Sequence, residues 1–373
     1  MIGAARPGRI WIGRGYVEGD TRMVIAEKAT MRALVHYGPG HGEVELRTVP
    51  VPEAGAGEVL LRVRGIGVCG SDLHQYHGSQ SWVVDWPVTL GHEFCGEILA
   101  LGSGVEGWSV GERVACETAA RVCGICALCR AGRYNLCPLR RGFGARVDGA
   151  AAPYVAARAA LLHRIPESVS WEEAALTEPC CVSINCVLEQ SSPRPGDTAV
   201  VLGPGPIGLL CTSLIAATRP SHLVVVGLAR DAARLELARQ YGASRVVLSD
   251  QEDAAAVLRG LGDGLGADLV IDATGVSATL QLALDLVRPA GQITKVGWGP
   301  QPLGFSLDPL VAKAVTLRGS FSHTWNTWER ALRLLADRTL DVRPLFERYP
   351  LEEWQEAFVR MGRGDLAKAV LIP

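Results

Sequence analysis

An excess of either charge is missing from this sequence: 37 Lys and Arg stand against 39 Asp and Glu, a net charge of −2. That balance provides no electrostatic footprint for nucleic acid or for an anionic membrane, and neither is expected as a partner. Long apolar runs are missing too. The most apolar stretch, VVLGPGPIGLLCTSLIAAT (200–218), is broken by Gly and Pro in its first third, so no segment approaches the length that spans a bilayer. The N-terminal MIGAARPGRIWIGRGYVEGDTRMVIAEKAT lacks a charged-then-apolar signal pattern with a small-residue cleavage site, which argues against secretion. Nor is there a disulfide framework. The 11 cysteines are odd in number and clustered, the pattern of reduced thiols and metal ligands in a cytoplasmic protein.

What is present fills two domains. The 373 residues exceed what one hydrophobic core holds comfortably, and 48% hydrophobic with 20% charged residues is ordinary globular composition. Residues 1–30 are Gly- and Arg-rich without periodicity and read as an N-terminal extension, either a flexible arm or the product of an unused upstream start. MRALVHY, from Met31, reads as the first strand. From there to about residue 165, short strand-like pieces such as EVLLRVRGIGV and GERVACE alternate with Gly and Pro turns. SWEEAAL then places Ser170 and Glu173 at capping-box spacing, so a helix is expected there with Glu178 near its end.

The text changes at 197–297, where the apolar strands TAVVLG, HLVVVG, RVVL, ADLVIDATG and GQITKVG alternate with helical segments. One of these is DAARLELARQYG, with Asp231 as candidate N-cap and Gly242 as its stop. Such alternation predicts a parallel, doubly wound sheet. Within it, VVLGPGPIGLL sets Gly203, Gly205 and Gly208 between a strand and a helix. A G-x-G-x-x-G alone is a weak signal, but that context makes it a dinucleotide loop. Gly203 permits the tight turn, Gly205 lets the backbone approach a pyrophosphate, and Gly208 lets the helix pack on the sheet.

About 20 residues further on, an NAD site usually carries an acidic residue for the ribose. Gly227 fills that slot and Arg230 follows, with Arg234 one turn into the helix. The missing carboxylate and the nearby arginines favour NADP over NAD. Asp231 as a substitute acid, or arginines that are merely solvated, would restore NAD.

Metal ligands form two groups. CGICALCRAGRYNLCP carries Cys123, Cys126, Cys129 and Cys137 as C-x2-C-x2-C-x7-C, four thiolates suited to a closed, structural zinc. An iron–sulfur cluster is the rival, although its last spacing is shorter and no second cluster motif exists. The other group is dispersed. GVCGSDLHQYHGS offers Cys69, Asp72, His74 and His77, GHEFCGE offers His92 and Glu93, and TEP offers Glu178. Singly, each has a bland reading as a buried thiol, a core histidine or a solvated carboxylate. Spacing alone does not join them.

Taken in order, GVCGSDLH, GHEFCGE, the four-cysteine lobe, TEP and GPGPIG resemble the zinc-containing medium-chain dehydrogenase/reductase family, from about Met31 to the C-terminus. The resemblance is to its sorbitol (polyol) and threonine dehydrogenase branch. It implies an α/β chain with a β-rich GroES-like catalytic domain (31–180 and 322–373) and a doubly wound Rossmann domain (181–321). The structural zinc lobe would occupy about 116–140. It implies a catalytic zinc on Cys69, His92 and a glutamate, with Glu93 and Glu178 both on family ligand positions. Ser71 takes the place of the hydroxyl that contacts the substrate, and His74 that of the outer proton carrier. Asp72 becomes a supporting partner and His77 has no assigned role. Pro206 and Ile207 join the glycine loop as cofactor contacts, as does Thr274 of DATG.

The implied reaction moves hydride between a secondary alcohol (a polyol, sugar alcohol or amino alcohol) and NAD(P), giving the ketone, in a homodimer or homotetramer. Trp298 and the tryptophans of HGSQSWVVDWP stand where they could line a pocket, though core packing is the commoner use of any one of them. Two rivals keep the fold: a zinc-free quinone or enone reductase, and a non-catalytic nucleotide-binding protein. The joint presence of Cys69, His92, Glu178 and Ser71 argues against both.

Overall fold

Three sheets among the described residues form two units. The computed structural model describes residues 29–373, so most of the expected N-terminal extension lies outside the described residues. The first unit is antiparallel and β-rich. Its seven-stranded sheet centres on the strand Glu58–Gly67, which pairs with Glu93–Leu101 on one side and with Lys368–Ile372 and Tyr154–Arg158 on the other. A three-stranded sheet around Thr30–His36 packs beside it. Burial runs along whole strands rather than alternating. EVLLRVRGIG is apolar at most positions because both of its faces are covered.

The second unit is a six-stranded parallel sheet formed by strands 198–202, 222–227, 245–248, 267–272, 287–295 and 316–319. Taking those six in chain order, their spatial order is 3-2-1-4-5-6, the doubly wound arrangement that opens a crevice where the order reverses. Five of the strands match the expected apolar runs. The sixth, Thr316–Gly319, is exposed at all four positions and so carries no apolar run to announce it. Among the described residues no helix is long and apolar enough to cross a membrane.

The helix expected to carry Glu178 near its end is two helices. Ser170 and Glu173 form the expected capping box of Trp171–Ala175; Leu176 then breaks the run, and Thr177–Ile184 starts afresh with Glu178 in its first turn. The helix continues as a π-turn over Asn185–Glu189. This segment crosses between the two sheets, and its buried residues share one core with the nucleotide-side strands and with helix Trp325–Ala336.

Candidate active site

The dispersed ligands meet because of strand register. Gly67, at the end of its strand, lies opposite Glu93 at the start of the neighbouring one. A Cβ on Gly67 would stand 2.2 Å from Glu93 Oε2, so only glycine leaves room for that carboxylate. Two residues on, Cys69 is the N-cap of helix Gly70–Tyr76, and Asp72 Oδ2 accepts its N–H at 2.8 Å. The cap fixes the direction in which the chain turns, and with it the position of the thiol. One metal-ligating atom each from Cys69, His92 and Glu93 lie within 4.8 Å of one another. Glu178 stands outside that trio. Its Oε1 accepts from Thr118 Oγ1 at 3.3 Å and faces His323 Nε2 at 3.1 Å.

The electrostatics of the trio call for a cation. Burial disfavours a charged His92, but Asp72, the hydrogen bond and charge of Cys69, and Glu178 outweigh it and push the imidazole up to about 10. Asp72 Oδ1, 3.7 Å from His92 Nδ1, and Glu93 Oε2 are both buried without a hydrogen bond among the described residues. An unpaired Asp72 oxygen beside a thiol, an imidazole and a second buried carboxylate fits the surroundings of a divalent ion. The thiolate, imidazole and carboxylate set fits zinc. Glu93 also has a fixed counter-charge: the buried Lys368 Nζ donates to its Oε1 at 2.6 Å and lies equally close to Oε2. Burial works against this ammonium, yet Glu93, backed by Cys69, holds its pKa above the ordinary lysine value.

The four-cysteine lobe also fits a cation, by different means. Cys123, Cys126, Cys129 and Cys137 again have their sulfurs within 4.8 Å of one another. Cys123 Sγ lies 3.9 Å from Cys129 Sγ and 3.5 Å from Cys137 Sγ. A tetrahedral zinc with its usual zinc–sulfur bond spaces its sulfurs roughly 3.8 Å apart. Backbone N–H groups of Cys126 and Ile125 lower the Cys123 thiol to about 6, while desolvation and the neighbouring thiols push Cys129 up to about 12. None of the 11 cysteines is in a disulfide.

On the nucleotide side, Gly203 has φ +93°, and a Cβ on Gly208 would lie 1.9 Å from Gly203 O. The loop therefore needs glycine at both positions. Gly205 faces open space and caps helix Pro206–Ala216, which holds Pro206 and Ile207 in its first turn. Thr274 closes the far side of the loop, its methyl 2.6 Å from where a Gly203 Cβ would stand. Its hydroxyl donates to Asp272 at 2.8 Å. Gly227 ends its strand and Arg230 is exposed. Arg234, in contrast, is paired with Asp231. Asp231 caps Leu228 N–H at 2.9 Å rather than the helix expected to follow it. Asp250, from the next strand's turn, accepts the Ala229 N–H at 3.1 Å.

Between the two sheets runs a wall of rings. His74 meets Trp82 at 6.2 Å, Trp82 meets Trp298 at 5.9 Å, and Trp298 meets Phe321 at 5.6 Å between centroids. Ser71 and His74 share one helix three residues apart, hence one face. His74 Nδ1 sits 3.0 Å from Ser79 Oγ, and partial burial together with His77 lowers the pKa of the imidazole. His77 itself stacks on His41, with ring nitrogens 3.3 Å apart, away from the metal trio.

Sequence reading missed Thr118, His323 and Lys368. Only Lys368 left a trace, as the lone charge in the otherwise apolar strand KAVLI.

Comparison with known proteins places the chain among described relatives. Residues 55–167 match the alcohol dehydrogenase GroES-like domain, and 206–337 match the zinc-binding dehydrogenase domain. A sorbitol dehydrogenase of Halalkalibacterium halodurans is 38% identical over 345 residues, covering 92% of this chain and 99% of the relative. A zinc-binding dehydrogenase of Sinorhizobium meliloti solved with NADP superposes with a TM-score of 0.85 at 28% identity, over 93% of this chain and 100% of that one. An Escherichia coli alcohol dehydrogenase solved with NADH gives 0.84 at 27% identity, over 92% and 99%.

Proposed function

The chain belongs to the zinc-containing medium-chain dehydrogenase/reductase family, in its polyol and threonine dehydrogenase branch, and from that membership we propose a role for each site residue. The reaction is transfer of hydride between a secondary alcohol and NAD(P), giving the ketone. Cys69, His92 and a glutamate hold the catalytic zinc. The observation that carries this is the convergence of one ligating atom each from Cys69, His92 and Glu93 within 4.8 Å of one another, with Asp72 Oδ1 buried and unpaired beside them. Glu178 is the second carboxylate, able to exchange with Glu93. Once bound, zinc supplies the Lewis acidity that makes an alcohol easier to deprotonate, and the nicotinamide takes the hydride.

The chain's own residues do the rest. Ser71 accepts the alcohol's proton while giving up its own hydroxyl proton, which passes to His74, the outer carrier, whose pKa partial burial and His77 lower. Trp82, Trp298 and Phe321 exclude water from one wall of the cleft and offer flat apolar faces to a carbon chain or ring. The substrate is a polyol, sugar alcohol or amino alcohol. A second, structural zinc belongs to Cys123, Cys126, Cys129 and Cys137, so two ions per chain are expected. The catalytic domain is 31–180 with 322–373, and the nucleotide domain is 181–321.

For the cofactor we favour NADP. Gly227 leaves no carboxylate at the strand end, and Arg230 is exposed and in no ion pair among the described residues. Asp250 stands nearby as the opposing charge. The partner is a second copy of the chain, docking on strand Thr316–Gly319. This edge is paired on one side alone and presents exposed Leu317. We place the protein in the cytoplasm, where eleven unpaired thiols stay reduced.

Metal analysis of purified protein, with a panel of alcohols against NAD and NADP, tests the reading. Two zinc ions per chain and alcohol-dependent cofactor reduction are expected. No turnover with any alcohol, or a wild-type chain that holds one zinc where two are expected, would overturn it.

A further inference from the structure

Glu178 is held by a histidine whose tautomer the surrounding core decides. His323 is buried, on the loop between the edge strand Thr316–Gly319 and helix Trp325–Ala336. Trp328, buried in that helix, donates its indole N–H to His323 Nδ1 at 2.8 Å. An indole can only donate, so Nδ1 must offer its lone pair, and the single proton of the neutral ring sits on Nε2. That nitrogen is 3.1 Å from Glu178 Oε1. The direction of the hydrogen bond is thereby fixed, from imidazole to carboxylate.

The loop is built to deliver this ring. Ser322 adopts φ +55°, a left-handed conformation costly for a residue with a Cβ, and turns the chain between Phe321 and His323. Two amides from distant segments pay for it: Asn135 donates to Phe321 O at 2.8 Å and Asn185 to Ser322 O at 3.0 Å. A histidine that merely filled core space would not need a strained turn clamped from both sides.

We propose that His323 is a positioning residue for the second carboxylate of the metal site: its Nε2–H holds Glu178 Oε1, and Trp328 keeps the proton on that nitrogen. Glu178 Oε2 is left as the oxygen for the cation. The two carboxylates are thus held differently, Glu93 by the full charge of Lys368 and Glu178 by a neutral donor that lets it share its charge with a metal. The inference rests on the reading of Glu178 as a zinc ligand.

The test uses the zinc-loaded enzyme and two readouts other than turnover: the rate of catalytic-zinc loss to a chelator, and the d–d absorption of the cobalt-substituted protein. Retention of the lobe zinc serves as a folding control. E178Q should change both readouts; if it changes neither, Glu178 is no ligand, and both that reading and this inference fall. Given an effect of E178Q, H323F should speed zinc loss about 10- to 100-fold and shift the cobalt bands. H323Q, which restores a donor, should recover most of the difference. W328F should give a smaller change in the same direction, and it decides the matter if H323F does not fold. Wild-type zinc retention and an unshifted cobalt spectrum in H323F, or in W328F in its place, would overturn the proposal.

Discussion

The two clusters of metal ligands are built in opposite ways. The four-cysteine lobe draws every ligand from one short stretch, lies partly exposed, and orients its sulfurs through local backbone N–H groups. The proposed catalytic cluster draws Cys69, His92 and Glu93 from the ends of two paired strands and is backed by the buried side chains of Lys368 and His323 from far along the chain. A local loop suffices where a metal must only be held. Where a metal must keep a position open for chemistry, charges have to be balanced and restrained from outside the ligand set, and those restraints come from wherever the fold can place them.

The largest effect expected from this contrast is on turnover. Cys69→Ser should reduce kcat/KM by at least about 10³-fold while the protein keeps its lobe zinc and its melting temperature, because the lobe does not depend on the trio. Activity near wild type would sink the catalytic assignment. Next comes the charge balance: Lys368→Met strands a buried carboxylate and should cost about 3–5 kcal/mol in chemical denaturation of the zinc-free protein. Pairing it with Glu93→Gln should recover most of that loss. If the single variant is as stable as wild type, the ion pair is not what holds Glu93.

Breaking the lobe should look different. Cys126→Ser should release one zinc and lower the melting temperature on the order of 10 °C, with residual activity falling only as far as folded protein is lost. A selective loss of kcat in protein that remains folded would contradict a structural role. Smaller again is the cofactor effect. Arg230→Ala should raise KM for NADP about tenfold and leave NAD alone, and Asp250→Asn should shift preference further toward NADP; steady-state kinetics with both cofactors reads this directly. Arg230 is the cleaner position to change, since a side chain at Gly227 would press on Pro204 and Asp231 within about 3 Å.

The smallest effect lies outside both clusters. Burial opposes a charged Glu173, but Ser170 N–H and Arg338 outweigh it and hold the carboxyl below its usual range. A depressed carboxylate pKa contributes stability above the unfolded value near about 4.3, and that contribution disappears as pH falls through the lower folded value. Glu173→Gln should therefore cost about 1 kcal/mol at neutral pH and progressively less below roughly pH 4, measured by denaturant titration at several pH values.

The same contrast explains what could be read from the chain. Spacing exposed the lobe, because its ligands are neighbours in sequence. The strand and turn around GPGPIG exposed the nucleotide site, because the constraint on Gly203 and Gly208 is local. Cys69, His92 and Glu93 became a set only through resemblance, since what joins them is the register of Gly67 against Glu93. His323 and Thr118 left no periodic or motif signal, being selected by contacts across the molecule. Arg234 shows the converse limit: its partner Asp231 is three residues away, yet whether the two pair or face a ligand depends on side-chain direction. Leu176 hid a helix boundary inside text that continues to read as helix.

Lys368 has a consequence for biosynthesis. The chain leaves the ribosome with the four lobe cysteines well ahead of the nucleotide-binding sheet, whereas Lys368 follows that entire sheet and enters by threading its strand beside Ile66 and Gly67. The lobe can capture zinc while synthesis continues. Until that strand is made, Glu93 lacks the ammonium that balances it in the folded chain. The charge balance of the proposed catalytic site is therefore completed only by the last strand of the chain.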